Sequence, residues 1–179
     1  MRKLTVTDLI RHTPDTLATV SRTPITVILD NIRSHHNVGS IFRTCDAFLI
    51  ERLILCGITT PPPSAEIHKT ALGAEFTVPW TYFPGTLDAI DALRRERFHI
   101  ISLEQTTHSI PLERFTPPPS PIAVILGNEV HGVSQSVLDS SDTILDIPQY
   151  GVKHSLNVSV AAGIVIWNLF HAIPSPVTP

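Results

Sequence analysis

The chain has 179 residues, a formal net charge of −3 and an apolar fraction of 42%, which predict one folded domain and exclude a disordered chain. Because no apolar run reaches about 18 residues, no membrane span is predicted, and the basic start at Met1 is interrupted too soon for a signal peptide. Cys45 and Cys56 lie among apolar residues, which favours reduced, buried thiols in a cytoplasmic protein.

The first half of the chain alternates apolar, strand-like runs with periodic, helix-like segments. A weak amphipathic helix within residues 1–23 is expected to present Leu9, Ile10, Leu17 and Val20 on its apolar side. The other predicted elements of this half are strands at 25–29, 52–56 and 76–80, helices at 40–48, 68–74 and 86–97, a polar loop at 30–38 and a proline-rich loop at 60–64.

The second half continues the alternation. Its predicted elements are strands at 99–103, 122–126 and 143–147, helices at 134–140 and 155–171, a proline-rich connector at 116–121 and a proline-rich tail at 174–179. The last helix is apolar on nearly all sides, so we expect it in the core or against another chain. Strands that alternate with helices predict a single-domain α/β fold, with a parallel, doubly wound sheet and helices on both faces.

Three short segments place glycine and polar residues directly beside these apolar patterns. They are Asn37-Val38-Gly39 with Arg43, residues 127–132, and residues 147–151 continuing into 155–159. The sequence has no P-loop and no G-x-G-x-x-G after the first strand, so the usual phosphate and dinucleotide sites are not predicted. Ligands of open α/β sheets bind at the carboxyl ends of the strands, so the segments are expected to form one site.

Several roles are open for the side chains of the second and third segments. Gly127 and Gly132 can permit close approach of a ligand or a positive φ. Glu129 can accept hydrogen bonds from a ligand, clamp an arginine, or close its loop and cap the next helix. The start of the last helix can offer N–H groups to an electron-rich ligand, or Ser155 can be an ordinary N-cap, which leaves Asn157 unexplained.

Cationic side chains are concentrated around the segments. Arg43 lies on an otherwise apolar helix and either extends to water or is held for a phosphate or carboxylate, while Asn37 and Gly39 predict a turn before it. A nucleic-acid-binding surface and chance clustering in polar loops both remain open.

The histidines at 35, 36, 131 and 154 with Glu129 suggest zinc, but no H-x-x-x-H or C-x-x-C spacing is present, so no metal is predicted.

Together the segments resemble the SpoU (TrmH-type) family of RNA ribose 2′-O-methyltransferases, within the SPOUT superfamily, over about residues 24–171. Asn37, Gly39 and Arg43 match N-x-G-x-x-x-R, and residues 126–132 match L-G-x-E-x-x-G. Residues 147–159 match I-P-x-x-G-x-x-x-S-L-N-V-S, with Gln149 where methionine is common. The resemblance implies a methyltransferase domain at 24–173, after a short N-terminal helical extension at 1–23 and before a frayed tail at 174–179.

The resemblance implies an α/β fold whose C-terminal part forms a deep trefoil knot, although knots are rare among proteins in general. It implies S-adenosylmethionine as the cofactor, RNA as a partner, and a homodimer with the active site at the interface. No membrane partner is expected. The implied cofactor-binding residues are Leu126, Gly127, Gly132, Ile147, Gln149, Ser155 and Leu156.

The implied reaction is attack of a ribose 2′-hydroxyl of tRNA or rRNA on the cofactor's methyl group. The implied catalytic residues are Arg43, Asn37, Glu129, Ser155 and Asn157. Arg43 is either a general base or, because guanidinium stays protonated, a group that binds phosphate and stabilises an alkoxide. The expected RNA-binding residues are Arg33, His35, His36, Arg43 and Lys153. The alternatives are a SPOUT enzyme that methylates a base and a non-catalytic RNA-binding module of the same fold.

Overall fold

Seven strands and six helices organise the computed structural model, which describes residues 1–5, 8, 12–17 and 19–173. The strands are β1 Thr23–Asp30, β2 Ile50–Cys56, β3 Trp80–Phe83, β4 His99–Leu103, β5 Ile110–Pro111, β6 Ile122–Leu126 and β7 Thr143–Asp146. The helices are α1 Pro14–Leu17, α2 His35–Ala47, α3 Ala65–Ala71, α4 Thr86–Arg95, α5 Gln135–Asp139 and α6 Val158–Ala172.

All strand pairs are parallel, in the order β3-β2-β1-β6-β4-β7-β5. The five residues of β6 are all buried, as its uninterrupted apolar sequence predicts for a central strand. Val124 belongs to a core cluster with residues of α2 and α6, whereas Ile125 packs with residues of α4 and α5. The predicted parallel α/β sheet with helices on both faces is therefore confirmed.

Helix α2 begins five residues earlier than predicted. Ser34 is its N-cap, and the Ser34 hydroxyl accepts a hydrogen bond from the Asn37 N–H at 3.3 Å. The predicted turn at Asn37 and Gly39 is therefore wrong, because both residues are helical. Gly39 is buried against α3, where an added Cβ would lie 2.2 Å from Thr70 Oγ1 and 2.3 Å from the Ile67 carbonyl oxygen. Glycine at this position lets the two helices pack in direct contact.

The predicted strand at 76–80 is also wrong. A 3₁₀ turn occupies Ala74–Phe76, after Gly73 with a φ of 97°, and β3 starts only at Trp80. Pro79 has no N–H to donate to a ladder, although its carbonyl accepts a hydrogen bond from the Leu53 N–H at 2.9 Å. The last helix begins at Val158, three residues later than predicted, and the short β5 was not predicted.

Within the N-terminal segment, where a weak amphipathic helix was expected, the described residues include one helical turn, α1. Leu9 and Ile10, two of the four apolar residues of that expected helix, lie outside the described residues, as does the tail at 174–179. In the part of the chain that the structure describes, no helix is long and apolar enough to cross a membrane.

Candidate functional site

A cleft of about 620 Å³ opens where β4, β6 and β7 end. This volume lies in the usual range for small-ligand sites, roughly 300–1,000 Å³. The walls are the two residues after β4, the loop at 127–133 after β6, and parts of the segment at 146–158 that joins β7 to α6. The cleft therefore lies at the carboxyl ends of the parallel strands, the edge at which a ligand site was expected.

The loop after β6 is held tightly by its own hydrogen bonds. Asn128 and Gly132 exchange backbone hydrogen bonds of 3.1 and 2.9 Å, and Asn128 Oδ1 accepts from the N–H groups of Val130 and His131. A Cβ on Gly127 would lie 2.3 Å from the backbone carbon of Gly132, which itself has a φ of 65°. The loop's own geometry thus requires both glycines, whatever they do for a ligand.

Glu104, the first residue after β4, belongs to the site but was not predicted. Glu104 Oε2 accepts a hydrogen bond from the Val133 N–H at 2.9 Å, and Glu104 Oε1 accepts one from the Gln105 N–H at 2.8 Å. Gln105 Nε2 donates to the His154 carbonyl oxygen at 3.0 Å. These two residues tie the second and third segments to the end of β4. The available signal was their position, since polar residues directly follow a buried strand at the ligand-binding edge.

Glu129 binds residues at the start of α2, more than 90 positions earlier in the sequence. Its carboxylate accepts hydrogen bonds, each of 3.0 Å, from the N–H groups of Arg33 and Ser34 and from Asn37 Nδ2. The alternative in which Glu129 caps the next helix is therefore wrong, because its carboxylate binds the backbone at and before the N-cap of α2. Burial raises the pKa of the Glu129 carboxyl, but the hydrogen bonds from Arg33, Asn37 and Ser34 lower it more, so the net pKa is below its ordinary value.

Asn157 joins this arrangement to the last helix. Asn157 Nδ2 donates to Asn37 Oδ1 at 3.1 Å, and Asn157 Oδ1 accepts from the N–H of Ser159 at 2.9 Å. Asn157 is therefore the N-cap of α6, and the alternative in which Ser155 is that cap is wrong. A continuous hydrogen-bonded chain, Glu129–Asn37–Asn157, links one residue from each of the three sequence segments.

The structure places the predicted site residues in two clefts. All seven predicted cofactor-binding residues line the 620 Å³ cleft, and so do Glu129 and Asn157. Asn37 lies beside that cleft through its hydrogen bonds. Arg43 does not line it: it lies in a second cleft of about 500 Å³ on α2, with Lys69 of α3 opposite. The Arg43 side chain is exposed and makes no hydrogen bond or ion pair with any described residue.

The residues predicted to bind RNA differ in their surroundings. Arg33 and His36 are exposed at the start of α2, and Lys153 is exposed in the loop before α6. His35 is half-buried, and its Nε2 lies 2.9 Å from Thr60 Oγ1, so the ring also contacts the proline-rich loop. Its Nδ1 lies 3.4 Å from Ser64 Oγ and 3.7 Å from a Glu66 carboxylate oxygen.

The two clefts carry opposite charge. Among the described residues, the lining of the 620 Å³ cleft contains the carboxylates of Glu104, Glu129 and Asp146 and no lysine or arginine. The cleft on α2 has the reverse composition, because the described residues that line it include Arg43 and Lys69 and no carboxylate. Within the described ranges, no group of three or more histidine, cysteine, aspartate or glutamate residues is placed to hold a metal ion.

A curated protein is similar to this chain over most of its length. The 23S rRNA (guanosine-2′-O-)-methyltransferase RlmB of Neisseria meningitidis is 32% identical over 155 residues, which cover 87% of this chain and 61% of that protein. The chain thus spans about three fifths of the length of this curated relative.

Solved structures show the same similarity. The TrmH/SpoU tRNA modifying enzyme of A. aeolicus has a TM-score of 0.78 and 25% identity, with 87% of this chain and 79% of that chain covered. An AdoMet-bound rRNA methyltransferase from Sinorhizobium meliloti has a TM-score of 0.78 and 27% identity, with 92% and 62% covered. The profile of the SpoU rRNA Methylase family matches residues 24–167, which include all three segments, and the chain therefore belongs to that family.

Proposed function

We propose that the protein is an S-adenosylmethionine-dependent RNA methyltransferase that modifies a ribose 2′-hydroxyl of tRNA or rRNA. The main support for this proposal is the series of hydrogen bonds Glu129–Asn37–Asn157, which joins the three family segments beside the larger cleft. The family match and the named activity of the relative from Neisseria meningitidis support the same assignment.

The larger cleft fits the cofactor in size and in charge. S-adenosylmethionine carries a positive sulfonium, and the cleft is lined by three carboxylates with no lysine or arginine among its described residues. Backbone groups of the loop at 127–132 and of Ile147 and Leu156 would hold the cofactor, as the resemblance implies. When bound, S-adenosylmethionine supplies an activated methyl group and needs no metal for its transfer.

The chain's own residues would orient and activate the ribose. Guanidinium remains protonated at neutral pH, so Arg43 is better suited to bind the neighbouring phosphate and stabilise the developing alkoxide than to accept a proton. Glu129 holds the Asn37 amide, which in turn bonds to Asn157, so these groups are preorganised before RNA binds. Ser155, which lines the cleft nearby, would contribute a hydroxyl to the ribose.

A homodimer would complete the active site. Arg43 and the cofactor cleft are separate within one chain, so a second copy is proposed to bring its Arg43 to this cleft. Helix α6 exposes a stripe with spacing i, i+4, i+7, in which Val160, Ile164 and Trp167 are 51%, 38% and 57% exposed. Trp167 also packs on Phe48, which lines the cleft of Arg43, at a ring-centroid distance of 5.9 Å. Association through this stripe buries apolar surface in a symmetric interface.

We also propose the trefoil knot and the domain limits that the resemblance to the family implies. The knot is supported by the family match and by the strand order, in which β7 lies beside β4 and α6 returns to pack on α2. The methyltransferase domain would span 24–173, with residues 1–23 as an extension. A cytoplasmic location agrees with the reduced cysteines of the described structure.

Transfer of labelled methyl groups from S-adenosylmethionine to unmodified tRNA and, separately, to ribosomal RNA tests the proposal. The wild-type protein is expected to label one RNA class, and Arg43→Ala is expected to reduce the rate by at least about 100-fold, equivalent to about 2.7 kcal/mol. Arg95→Ala, an exposed arginine on α4, is the matched control and should retain full activity. Cofactor binding without any transfer would instead support the non-catalytic RNA-binding alternative.

A further inference from the structure

We propose that Lys69 and Arg43 together form a phosphate-binding cleft that grips the RNA backbone next to the reacting nucleotide. This inference rests on the proposed function and adds Lys69, which the sequence segments do not include. The ligand class is a phosphodiester anion of an RNA chain.

The packing of two helices brings these cations to one cleft. His36, Ser40 and Arg43 occupy positions i, i+4 and i+7 of α2, so they lie on one face of that helix. Helix α3 lies against the same face, because Gly39 has no Cβ and Thr70 Oγ1 donates to the His36 carbonyl oxygen at 3.0 Å. Lys69, next to Thr70, therefore lines the same cleft of about 500 Å³ as Arg43.

The two cations of this cleft have no direct partner among the described residues, and Asp46, one turn after Arg43 on α2, accepts a hydrogen bond from the Thr77 hydroxyl instead. Neither Arg43 nor Lys69 forms an ion pair or a side-chain hydrogen bond with a described residue. Glu66 on α3 attracts Lys69 at longer range, but its carboxylate accepts a hydrogen bond from Ser64 Oγ at 3.1 Å. Two like charges that share a cleft repel each other, and a bound anion removes that repulsion.

The remaining lining favours a phosphodiester in a polymer over a small free anion. The hydroxyls of Ser40 and Thr44 already donate to main-chain carbonyls, so the donors left for a ligand are the guanidinium and the ammonium. A guanidinium fork matches two phosphate oxygens, and an ammonium adds a point charge. Ala47 and Phe48 form an apolar wall, which suits the sugar or base that adjoins the phosphate.

The test measures how Lys69→Glu and Arg95→Glu, which change the net charge equally, and the charge-preserving Lys69→Arg bind a fluorescently labelled, unmodified tRNA transcript between about 50 and 200 mM salt. Lys69→Glu is expected to weaken binding at low salt by roughly three- to tenfold and to reduce the slope of log K against log[salt] by about 1. Lys69→Arg should retain most of the affinity. Arg95→Glu, on the opposite face of the sheet, is the control and should have a much smaller effect.

Titration of S-adenosylmethionine into each variant separates this inference from the proposed function. Unchanged cofactor affinity in Lys69→Glu, with the RNA defect above, supports the phosphate cleft even if no methyl transfer is found. Equal losses of RNA affinity in Lys69→Glu and Arg95→Glu would overturn the phosphate-binding cleft, because RNA binding would then depend only on the net charge of the protein. A wild-type protein that binds the cofactor but no RNA at any salt concentration would also overturn it.

Discussion

At the scale of single residues, Glu129 is the group on which the site's geometry depends most. Its carboxylate accepts three hydrogen bonds from the start of α2, and one of those donors, Asn37, continues to Asn157. A glutamine in its place has one acceptor oxygen and turns an amide NH₂ group toward the N–H donors. We expect Glu129→Gln to lower the free energy of unfolding by about 1 kcal/mol at neutral pH, a modest figure because the group is partly exposed.

The same substitution has a pH signature. The native pKa of Glu129 lies below its ordinary value of 4.5, so its stabilisation is complete above that value and is lost as pH falls through the native pKa. The difference in stability between wild type and Glu129→Gln should therefore shrink as urea unfolding is repeated from pH 6 down into the acid range. Glu113→Gln, which removes an exposed carboxylate without a described hydrogen bond, is the control and should change the stability at pH 6 much less. A difference that stays constant over this range would contradict the assignment.

Gly127 offers a second prediction at this scale. A methyl group there would lie 2.3 Å from the Gly132 backbone carbon, whereas a methyl group on Gly151 would meet nothing within 4 Å. Gly127→Ala is expected to weaken S-adenosylmethionine binding by more than about tenfold, or 1.4 kcal/mol, because the loop at 127–133 must move. Gly151→Ala is the control and should bind normally in the same calorimetric titration. Equal affinities would show that this loop does not shape the cofactor site.

At the scale of elements, the contact between α2 and α3 determines where the cationic cleft forms. Gly39→Ala would place a methyl group 2.2 Å from Thr70 Oγ1 and 2.3 Å from the Ile67 carbonyl oxygen. Since the second neighbour is main chain, the helices must separate, and we expect a loss of roughly 1–3 kcal/mol of stability. Thermal unfolding checks this value, and an unchanged midpoint would contradict the close packing. Ser40→Ala, one residue later, should change stability much less.

Local patterns predicted some elements well and others poorly, for physical reasons. The strands at 99–103 and 122–126 were predicted with their observed bounds. The second is an entirely apolar, buried run that Gly127 ends, and the first has the buried pair Ile100 and Ile101 at its centre. The early start of α2 depends on the Ser34 cap and on Glu129, and a contact with a residue 95 positions away leaves no local signal. Glu104 does have a local signal, its position directly after β4, but its partner, the Val133 N–H, lies in a distant loop.

At the scale of the whole molecule, the exposed face of α6 predicts the state of association. Trp167, the last residue of the apolar stripe of α6, is 57% exposed and packs on Phe48. Trp167→Glu places a charge in the proposed interface, and we expect sedimentation velocity to show a monomer where the wild type sediments as a dimer. Leu87→Glu, on α4 across the sheet and 42% exposed, is the control and should remain dimeric. A monomeric wild type would contradict the proposed assembly.

The identity of the methylated nucleoside shows whether the protein transfers the methyl group to a ribose of RNA. Unmodified tRNA and rRNA would be incubated with the protein and S-adenosylmethionine bearing a deuterated methyl group, then digested to nucleosides and measured by mass spectrometry. We expect a single nucleoside whose deuterated methyl group is on the ribose, formed at least about 100-fold more slowly by Arg43→Ala. A deuterated methyl group on a base, or none on either RNA by a protein that binds the cofactor, would contradict it.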